Sequence, residues 1–249
     1  GSRKANPYIA DADVILAIDY DMPYALAEGL PRPKANVIEI GVDPLTQGRP
    51  LWGRGANTFI KADSRQAIPA LSSILHERLT PQRRAQFNQR FERLKNAHDK
   101  QRAEWRTLGM STANERPISP DWLCRCIDDV IDEDTIVFNF TISHSASVTE
   151  QIGRTRPGTM FGCASGSIQW SMAAALGAKV AAPDRTVVSI VTDGGFVWGC
   201  PVATLWTARA YRAPFLSVVL NNQSYGFIHG HVERAAGVKA FSDKEAFEA

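Results

Sequence analysis

Two short polar motifs follow consecutive apolar runs in the second half of the chain, and their residue types suit metal and phosphate binding. Asp193-Gly194-Gly195 follows the run TVVSIVT, and Asn221-Asn222 follows the run FLSVVL. A carboxylate and an amide oxygen are hard donors that suit Mg²⁺, which often takes phosphate oxygens as further ligands. Glycines carry no side chain, so their backbone N–H groups can approach a phosphate at the start of a helix. These residues therefore favour a magnesium diphosphate site.

The two apolar runs are predicted to be neighbouring parallel strands that are joined by a helix near residues 202–211. A right-handed crossover of this kind places the carboxyl ends of both strands at the same edge of the sheet. Ligands bind at that edge in open α/β sheets. Each motif alone is more often a turn or a loop than a ligand site. Because both motifs fall at successive strand ends, their combination favours one shared site over two unrelated turns.

Apolar, β-branched runs alternate with helical patterns along the whole chain. This alternation predicts an α/β fold of doubly wound parallel sheets with helices on both faces. We expect strands near residues 12–18, 35–44, 57–63, 135–140, 186–192 and 215–220, and helices near residues 64–76, 80–108, 121–131, 168–181 and 202–211. The first of these helices begins at Asp63 or Ser64. The segment TISHSAS is interpreted as a polar loop, and the segment RPGTMFGCASGS, to which no element is assigned, leads to the helix near residues 168–181.

Changes in composition divide the chain into three parts. Residues 1–79 hold the first set of strands, and residues 120–249 hold the second. Residues 80–119 are strongly charged and are interpreted as a solvated connecting helix followed by a loop. Thr80 can cap that helix, because Pro81 then occupies the first helical position.

The composition excludes several function classes. A hydrophobic content of 44% with 22% charged residues is typical of a globular protein with a real core. A net charge of +2 gives no indication of nucleic acid or an acidic membrane surface as a partner. No apolar run is long enough to cross a bilayer. The four cysteines form no CxxC pair, so we expect reduced thiols in a cytoplasmic protein.

The spacing of the two motifs resembles the signature of the thiamine diphosphate-dependent enzymes, which is Gly-Asp-Gly, about two dozen residues, then Asn-Asn. Here Thr192-Asp193-Gly194 is followed by 26 residues and Asn221-Asn222. The phrase APDRTVVSIVTDGGF, continued by RAPFLSVVLNNQSYGFI, is similar to the acetolactate synthase branch. Thr192 replaces the first Gly of the signature, which leaves the predicted ligands intact.

The resemblance covers nearly the whole chain and implies the thiamine diphosphate-binding fold. Residues 12–76 are similar to the latter half of the family's Rossmann-like central domain, and residues 120–249 are similar to its diphosphate-binding domain. The chain ends 27 residues after Asn222, before the final strand and helix of such a domain. We therefore expect that domain to be incomplete at its C-terminus.

The resemblance also implies roles for individual residues. Asp193 and Asn222 would bind Mg²⁺ through their side chains, and the main-chain carbonyl of Ser224 would be a third ligand. Gly194 and Gly195 are the predicted phosphate-binding residues.

Other predicted cofactor contacts lie earlier in the second region. Gly166 and Ile168 match the place where the family has a bulky apolar residue under the cofactor, so Ile168 would hold thiamine in its bent conformation. Ordinary packing in a helix core is the alternative for Ile168. Ser143 and His144 would lie near the diphosphate, although His144 could equally be a capping or surface histidine.

The implied substrate is a 2-oxo acid, with thiamine diphosphate and Mg²⁺ as cofactors. In the family, an activating Glu comes from a separate pyrimidine-binding domain, and no Glu here has a matching context. The catalytic residue is therefore expected outside this chain. We expect a homodimer, a homotetramer or a complementary subunit that supplies this domain. Some synthases of this branch bind FAD in the central domain. Because only half of that domain is matched here, the sequence does not support a prediction of FAD binding.

The type of reaction depends on a residue after the Asn pair. Ile228 falls where pyruvate decarboxylase-like members carry an acid, so decarboxylation followed by ligation of the product to a second carbonyl is favoured. The branch's substrate-selecting Trp is replaced near His231, which leaves the acceptor open. The alternatives are a subunit of a split 2-oxo acid decarboxylase and a non-catalytic diphosphate-binding module.

Overall fold

The computed structural model describes residues 7–20, 34–45, 56–163, 167–168, 170–228 and 230. The chain forms two compact units, Gly1–Asn96 and Ala97–Ala249. Gly166 and His231, both singled out in the sequence, lie outside the described residues. The three-part division at residues 79 and 119 stays a prediction.

The first unit contains a parallel three-stranded sheet in the order β1-β2-β3. Its elements are α1 (Pro7–Ala10), β1 (Val14–Ile18), β2 (Asn36–Gly41), β3 (Thr58–Lys61) and α2 (Ser64–Glu77). All three predicted strands are confirmed, and Val37 and Ile40 are buried in the central strand. Asp63 caps α2, because its carboxylate accepts a hydrogen bond from the backbone N–H of Arg65 at 2.9 Å.

A helix of 31 residues, α3 (Pro81–Ser111), runs from the first unit into the second. Its start is the predicted one, since the Thr80 hydroxyl accepts from the backbone N–H of Arg83 at 3.3 Å. The helix is strongly charged and exposed over residues 81–101. Among the described residues, no helix combines the length and the apolar character that crossing a membrane requires.

The second unit contains a parallel four-stranded sheet in the order β5-β4-β6-β7. Its strands are β4 (Ile136–Phe140), β5 (Met160–Gly162), β6 (Val187–Thr192) and β7 (Leu216–Leu220). Its further helices are α4 (Pro120–Val130), α5 (Ser145–Gln151), α6 (Trp170–Ala181), α7 (Asp193–Trp198) and α8 (Pro201–Ala210), with a 3₁₀ turn at Ile142–His144. The predicted α/β class with parallel sheets is therefore confirmed.

Helices cover both faces of this sheet. On one face, Cys124 and Ile127 of α4 and Val148 of α5 pack against Val188 and Ile190 of β6. On the other face, α6 packs against β4 and β6, and α8 lies beside α6. The β4 and β6 side chains are almost completely buried because they are covered on both sides.

Three local features differ from the sequence analysis. The TISHSAS segment is not a loop, because it forms the 3₁₀ turn and the start of α5. A short strand that was not predicted, β5, lies within the RPGTMFGCASGS segment and pairs with β4. The Asp193-Gly194-Gly195 motif begins a helix, α7, rather than a turn.

The C-terminal part of α3 is not merely solvated, because it packs against α5. The Gln151 amide donates to the main-chain oxygen of Trp105 at 2.7 Å, and Arg102 donates to the main-chain oxygen of Glu150 at 3.0 Å. Gly109 lies against the buried Gln151 side chain, so a Cβ added at Gly109 would lie 2.5 Å from Gln151 Oε1. A side chain at position 109 would therefore force the buried Gln151 amide to shift.

We expect Gly109→Ala to lower the free energy of unfolding by about 1–2 kcal/mol, because overpacking outweighs the better helix propensity of Ala. Gly177→Ala in α6 is the matched control, since nothing lies within 4 Å of its added Cβ. That change should raise stability by up to about 1 kcal/mol. Urea unfolding of both variants measures the difference, and equal effects would contradict the proposed close contact.

Candidate functional site

Asp193 is positioned by the end of β6, the strand that pairs with both β4 and β7. β6 ends at Thr192, whose hydroxyl accepts from the backbone N–H of Gly195 at 3.0 Å and caps α7. Gly195 is buried, and a Cβ there would lie 2.9 Å from Val191 Cγ2 and 3.0 Å from Thr192 Oγ1. The strand end, the cap and this close approach together fix the place of Asp193.

The structure brings the two polar motifs together at the carboxyl ends of β6 and β7. Asp193 Oδ2 accepts from the backbone N–H of Gln223 at 2.9 Å, across 30 residues of sequence. The Asn221 amide oxygen accepts from the same N–H at 3.0 Å. Asn222 Oδ1 accepts from the backbone N–H of Ser224 at 3.1 Å. The loop after β7 is therefore held directly against the Asp193 carboxylate.

The oxygen atoms at this edge suit a hard divalent cation that also coordinates phosphate oxygens. Asp193 Oδ1 accepts from the Gly194 N–H at 2.8 Å, so each carboxylate oxygen accepts one bond and keeps further acceptor capacity. Asp193 is half-buried and Asn222 is exposed, so both can be reached from solvent. Within the described part of the chain, no three or more His, Cys, Asp or Glu side chains are arranged so that they could hold a metal ion on their own. A carboxylate with an amide oxygen suits Mg²⁺ rather than a thiolate- or imidazole-bound metal.

The two glycine amides already have acceptors in this geometry. Gly194 N–H donates to Asp193 Oδ1, and Gly195 N–H donates to the Thr192 hydroxyl. A phosphate would have to replace these acceptors to bind both groups. A Cβ at Gly194 would lie 3.8 Å from the ring of Tyr225, which places that ring beside the motif. Phosphate binding by Gly194 and Gly195 stays a prediction.

His144 lies at the same edge, in the 3₁₀ turn that follows β4. Its imidazole is half-buried. This burial lowers the pKa of His144, while the carboxylates of Asp121 and Asp193 act in the opposite direction. His144 is therefore within electrostatic reach of Asp193 and is neutral near pH 7. Ser143 is exposed in the same turn. Their contact with a diphosphate stays a prediction.

Ile168 occupies a turn just before α6, which begins at Trp170. Its side chain is 45% exposed, so ordinary packing in a helix core does not describe it. The predicted helix over residues 168–181 therefore starts later than expected. A role for Ile168 beneath a cofactor stays a prediction, and Gly166 lies outside the described residues.

Sequence reasoning missed two residues that shape the site. Thr192 had been treated only as a replacement for a glycine, yet its hydroxyl caps α7. Gln223 had no predicted role, yet its backbone N–H joins the two motifs. A Thr followed by Asp at the end of a strand is a recognisable helix-cap signal, whereas nothing in the sequence marks the Gln223 amide.

Comparisons with known proteins agree with this geometry. Residues 143–248 match the family described as "Thiamine pyrophosphate enzyme, C-terminal TPP binding domain". Benzoylformate decarboxylase of Pseudomonas aeruginosa is 31% identical over 110 residues, which cover 44% of this chain and 20% of that protein. Probable acetolactate synthase 2, chloroplastic, of Oryza sativa subsp. japonica is 27% identical over 232 residues, which cover 92% of this chain and 34% of that protein. Acetolactate synthase isozyme 2 large subunit of Escherichia coli K12 is 26% identical over 231 residues, covering 92% and 38%.

Solved structures show the same fold. A thiamine diphosphate-dependent 4-hydroxybenzoylformate decarboxylase from Rhodococcus jostii RHA1 superposes with a TM-score of 0.62 at 20% identity, covering 94% of this chain and 40% of that one. Benzoylformate decarboxylase from Polynucleobacter necessarius gives a TM-score of 0.66 at 16% identity, covering 95% and 41%. This chain thus spans between a fifth and two fifths of the relatives it matches. Residues 143–248 therefore belong to the C-terminal TPP-binding domain of the thiamine pyrophosphate enzyme family.

Proposed function

We propose that this chain is part of an enzyme that holds thiamine diphosphate through Mg²⁺ at the carboxyl ends of β6 and β7 and acts on a 2-oxo acid. The observation that carries the proposal is the 2.9 Å hydrogen bond from the Gln223 N–H to Asp193 Oδ2. It holds the loop with Asn222 and Ser224 beside the Asp193 carboxylate. The family match over residues 143–248 supports the identity of the cofactor.

The metal would be held by three oxygens from this edge. These are a carboxylate oxygen of Asp193, the amide oxygen of Asn222 and the main-chain carbonyl of Ser224. The negative charge of Asp193 would offset part of the charge of Mg²⁺, and phosphate oxygens are the further ligands that Mg²⁺ would take. Because Asn222 and Ser224 belong to one short loop, the bond to Gln223 positions both of them at once.

The remaining predicted contacts would surround the diphosphate and the thiamine. Gly194 and Gly195 would offer backbone N–H groups to the diphosphate, with Ser143 and His144 on the neighbouring strand end. Ile168 would support the thiamine together with Gly166. A neutral His144 can donate to a phosphate oxygen through one ring nitrogen without adding charge beside the metal.

Bound thiamine diphosphate supplies an electron sink for the decarboxylation of a 2-oxo acid. The residues of this chain would bind and orient that group. The group that activates the cofactor would come from outside this chain. We accordingly propose a homo-oligomer, or a complementary subunit, that supplies a pyrimidine-binding domain with its Glu.

The relatives include acetolactate synthases and a benzoylformate decarboxylase, so they support both ligation and simple decarboxylation. We favour ligation to a second carbonyl because Ile228 is apolar and cannot donate a proton to the product of decarboxylation. Its side chain is 54% exposed in a short helical segment after the Asn pair. A subunit of a split decarboxylase is the second candidate, and the benzoylformate decarboxylase relative is the observation that favours it.

Native mass spectrometry with added thiamine diphosphate and Mg²⁺ tests the proposal. We expect cofactor and metal to bind together, in an assembly larger than the 27.3 kDa chain. A bare monomer that takes up neither would contradict the proposal and favour a non-catalytic module. In an assembly that turns over a 2-oxo acid, the products then separate the two reactions: an aldehyde indicates decarboxylation alone, whereas a hydroxy ketone or a hydroxy-oxo acid indicates ligation to an aldehyde or to a second oxo acid.

Asp193→Asn and Asp193→Ala should each weaken thiamine diphosphate binding by at least about tenfold in the presence of Mg²⁺, a cost of about 1.4 kcal/mol or more. Both changes remove the charge that faces the metal, and Asp193→Asn keeps the side-chain shape. Isothermal titration calorimetry measures the affinity. Asp184→Ala is the control, because Asp184 is exposed before the amino end of β6. Unchanged binding in both Asp193 variants would contradict the site.

The neighbouring loop gives a second comparison. Asn222→Ala should reduce the affinity for Mg²⁺ by at least about tenfold, because it removes an oxygen ligand. Ser224→Ala should leave the affinity nearly unchanged, since only the main-chain carbonyl of Ser224 is used. Titrating each variant with Mg²⁺ at fixed thiamine diphosphate measures both effects. A larger loss from Ser224→Ala than from Asn222→Ala would show that the ligands are assigned wrongly.

A further inference from the structure

The N-terminal part of α3 carries a row of exposed apolar side chains. Phe87, Phe91 and Leu94 follow one another at steps of four and three residues, which places them on one side of the helix. They are 43%, 62% and 39% exposed, and every residue from Pro81 to Gln101 is exposed. We call these three side chains the α3 stripe. Aligned apolar side chains of this size have the arrangement of a packing surface, unlike apolar residues that are scattered singly.

The spacing of the α3 stripe is that of a contact between two helices. In a coiled coil, the residues that face the second helix recur at alternating steps of four and three. His98, Gln101, Trp105 and Leu108 continue these steps toward the C-terminal end of α3. That end already packs against a helix, because Gln151 of α5 donates to the main-chain oxygen of Trp105. The α3 stripe has the same spacing and is exposed.

Basic residues border the α3 stripe on both sides. At about 100° per residue, Arg83 and Arg90 lie on one side of it, and Arg84 and Lys95 lie on the other. Between Arg83 and Lys95 there are five basic residues and one acidic residue, Glu92, which lies toward the opposite face. The borders of the stripe are therefore strongly positive, although the whole chain has a net charge of only +2.

The local contacts of these arginines leave their charge available to a partner. Arg90 lies over the Phe87 ring, with Cζ 4.9 Å from the ring centroid. A guanidinium in this position stays charged and can still donate from its edge. Within the described part of the chain, Arg83 and Arg90 form no ion pair. Carboxylates beside the stripe would therefore meet guanidinium groups that are not already neutralised.

We propose that the α3 stripe binds a helix of another protein, with apolar residues at coiled-coil spacing and acidic residues on both sides of them. Charges that border the apolar positions select the partner in such pairs. A second copy of α3 would place arginines against these arginines, so like charges oppose self-pairing. A helix that lies on a membrane needs a broad apolar face, whereas this stripe has the narrower width of a coiled-coil contact. The argument does not rest on the cofactor site.

Fluorescence anisotropy with labelled synthetic peptides tests the proposal on the 249-residue chain, without thiamine diphosphate. One helical peptide of about three heptads has Leu at the contact positions and Glu beside them, and a second has Lys in place of Glu. We expect the acidic peptide to bind at least about tenfold more tightly than the basic one. Added salt should weaken this binding, because it screens the exposed charge pairs.

Variants of α3 locate the binding surface. Phe91→Ser should weaken binding of the acidic peptide by at least about tenfold, because it removes the most exposed side chain of the stripe. Arg83→Glu combined with Arg90→Glu should reverse the preference, so that the basic peptide binds more tightly. Gln89→Glu is the matched control. Gln89 is exposed on the opposite side of α3, so this variant should bind the acidic peptide as the wild type does.

Several results would overturn the proposal. Failure of the acidic peptide to bind, or equal affinity for both peptides, would show that the stripe does not select an acidic helix. Binding to anionic phospholipid vesicles but not to the peptide would make it a membrane contact. Oligomers of the chain that Phe91→Ser dissociates would make it a contact between copies. Cofactor and metal binding are measured separately, so none of these results decides the proposed function.

Discussion

The hydrogen bond between the Asp193 carboxylate and the Gln223 backbone is the contact on which the candidate site depends. Without it, Asp193 and the loop after β7 would be two strand ends that happen to share an edge. The contact is possible because β6 and β7 are parallel and in register from Val188 to Thr192. Both strands therefore end at the same level, and the Asp193 carboxylate lies beside the loop that follows β7. A single main-chain amide then fixes the loop that carries the other predicted ligands.

The sequence predicted the structure correctly where the local residue pattern and the tertiary environment favour the same conformation. Buried strands such as β4 and β6 are nearly continuous apolar runs, and the polar residues directly after them mark the edge where ligands bind. That pattern was sufficient to predict the parallel sheets and the meeting of Asp193 with the Asn pair. It was also sufficient for the cap at Asp63, because capping depends on residues close in sequence.

Elements that depend on distant contacts were not predictable in the same way. β5 has three residues, mostly exposed, and exists because it pairs with β4. α7 has the composition of a turn and forms because Thr192 caps it and Gly195 fits against Val191. The docking of α3 was hidden by its charged composition, and Gly109 lies just after the predicted end of that helix, where a glycine is typical of a loop. In each case, contacts with residues in other parts of the fold stabilise a conformation that the local sequence alone does not specify.

The internal hydrogen bonds of the Gly194 and Gly195 amides have a consequence for when the site takes its shape. Thr192 and Asp193 satisfy the N–H groups of Gly195 and Gly194 within the chain itself. These two donors therefore have partners without a ligand, so neither is an orphan group that would disrupt the edge. The edge can therefore reach its shape during folding, before any small molecule arrives. A phosphate that binds these amides would replace one hydrogen-bond acceptor with another on a surface that is already folded, so its binding would not be a step that completes folding.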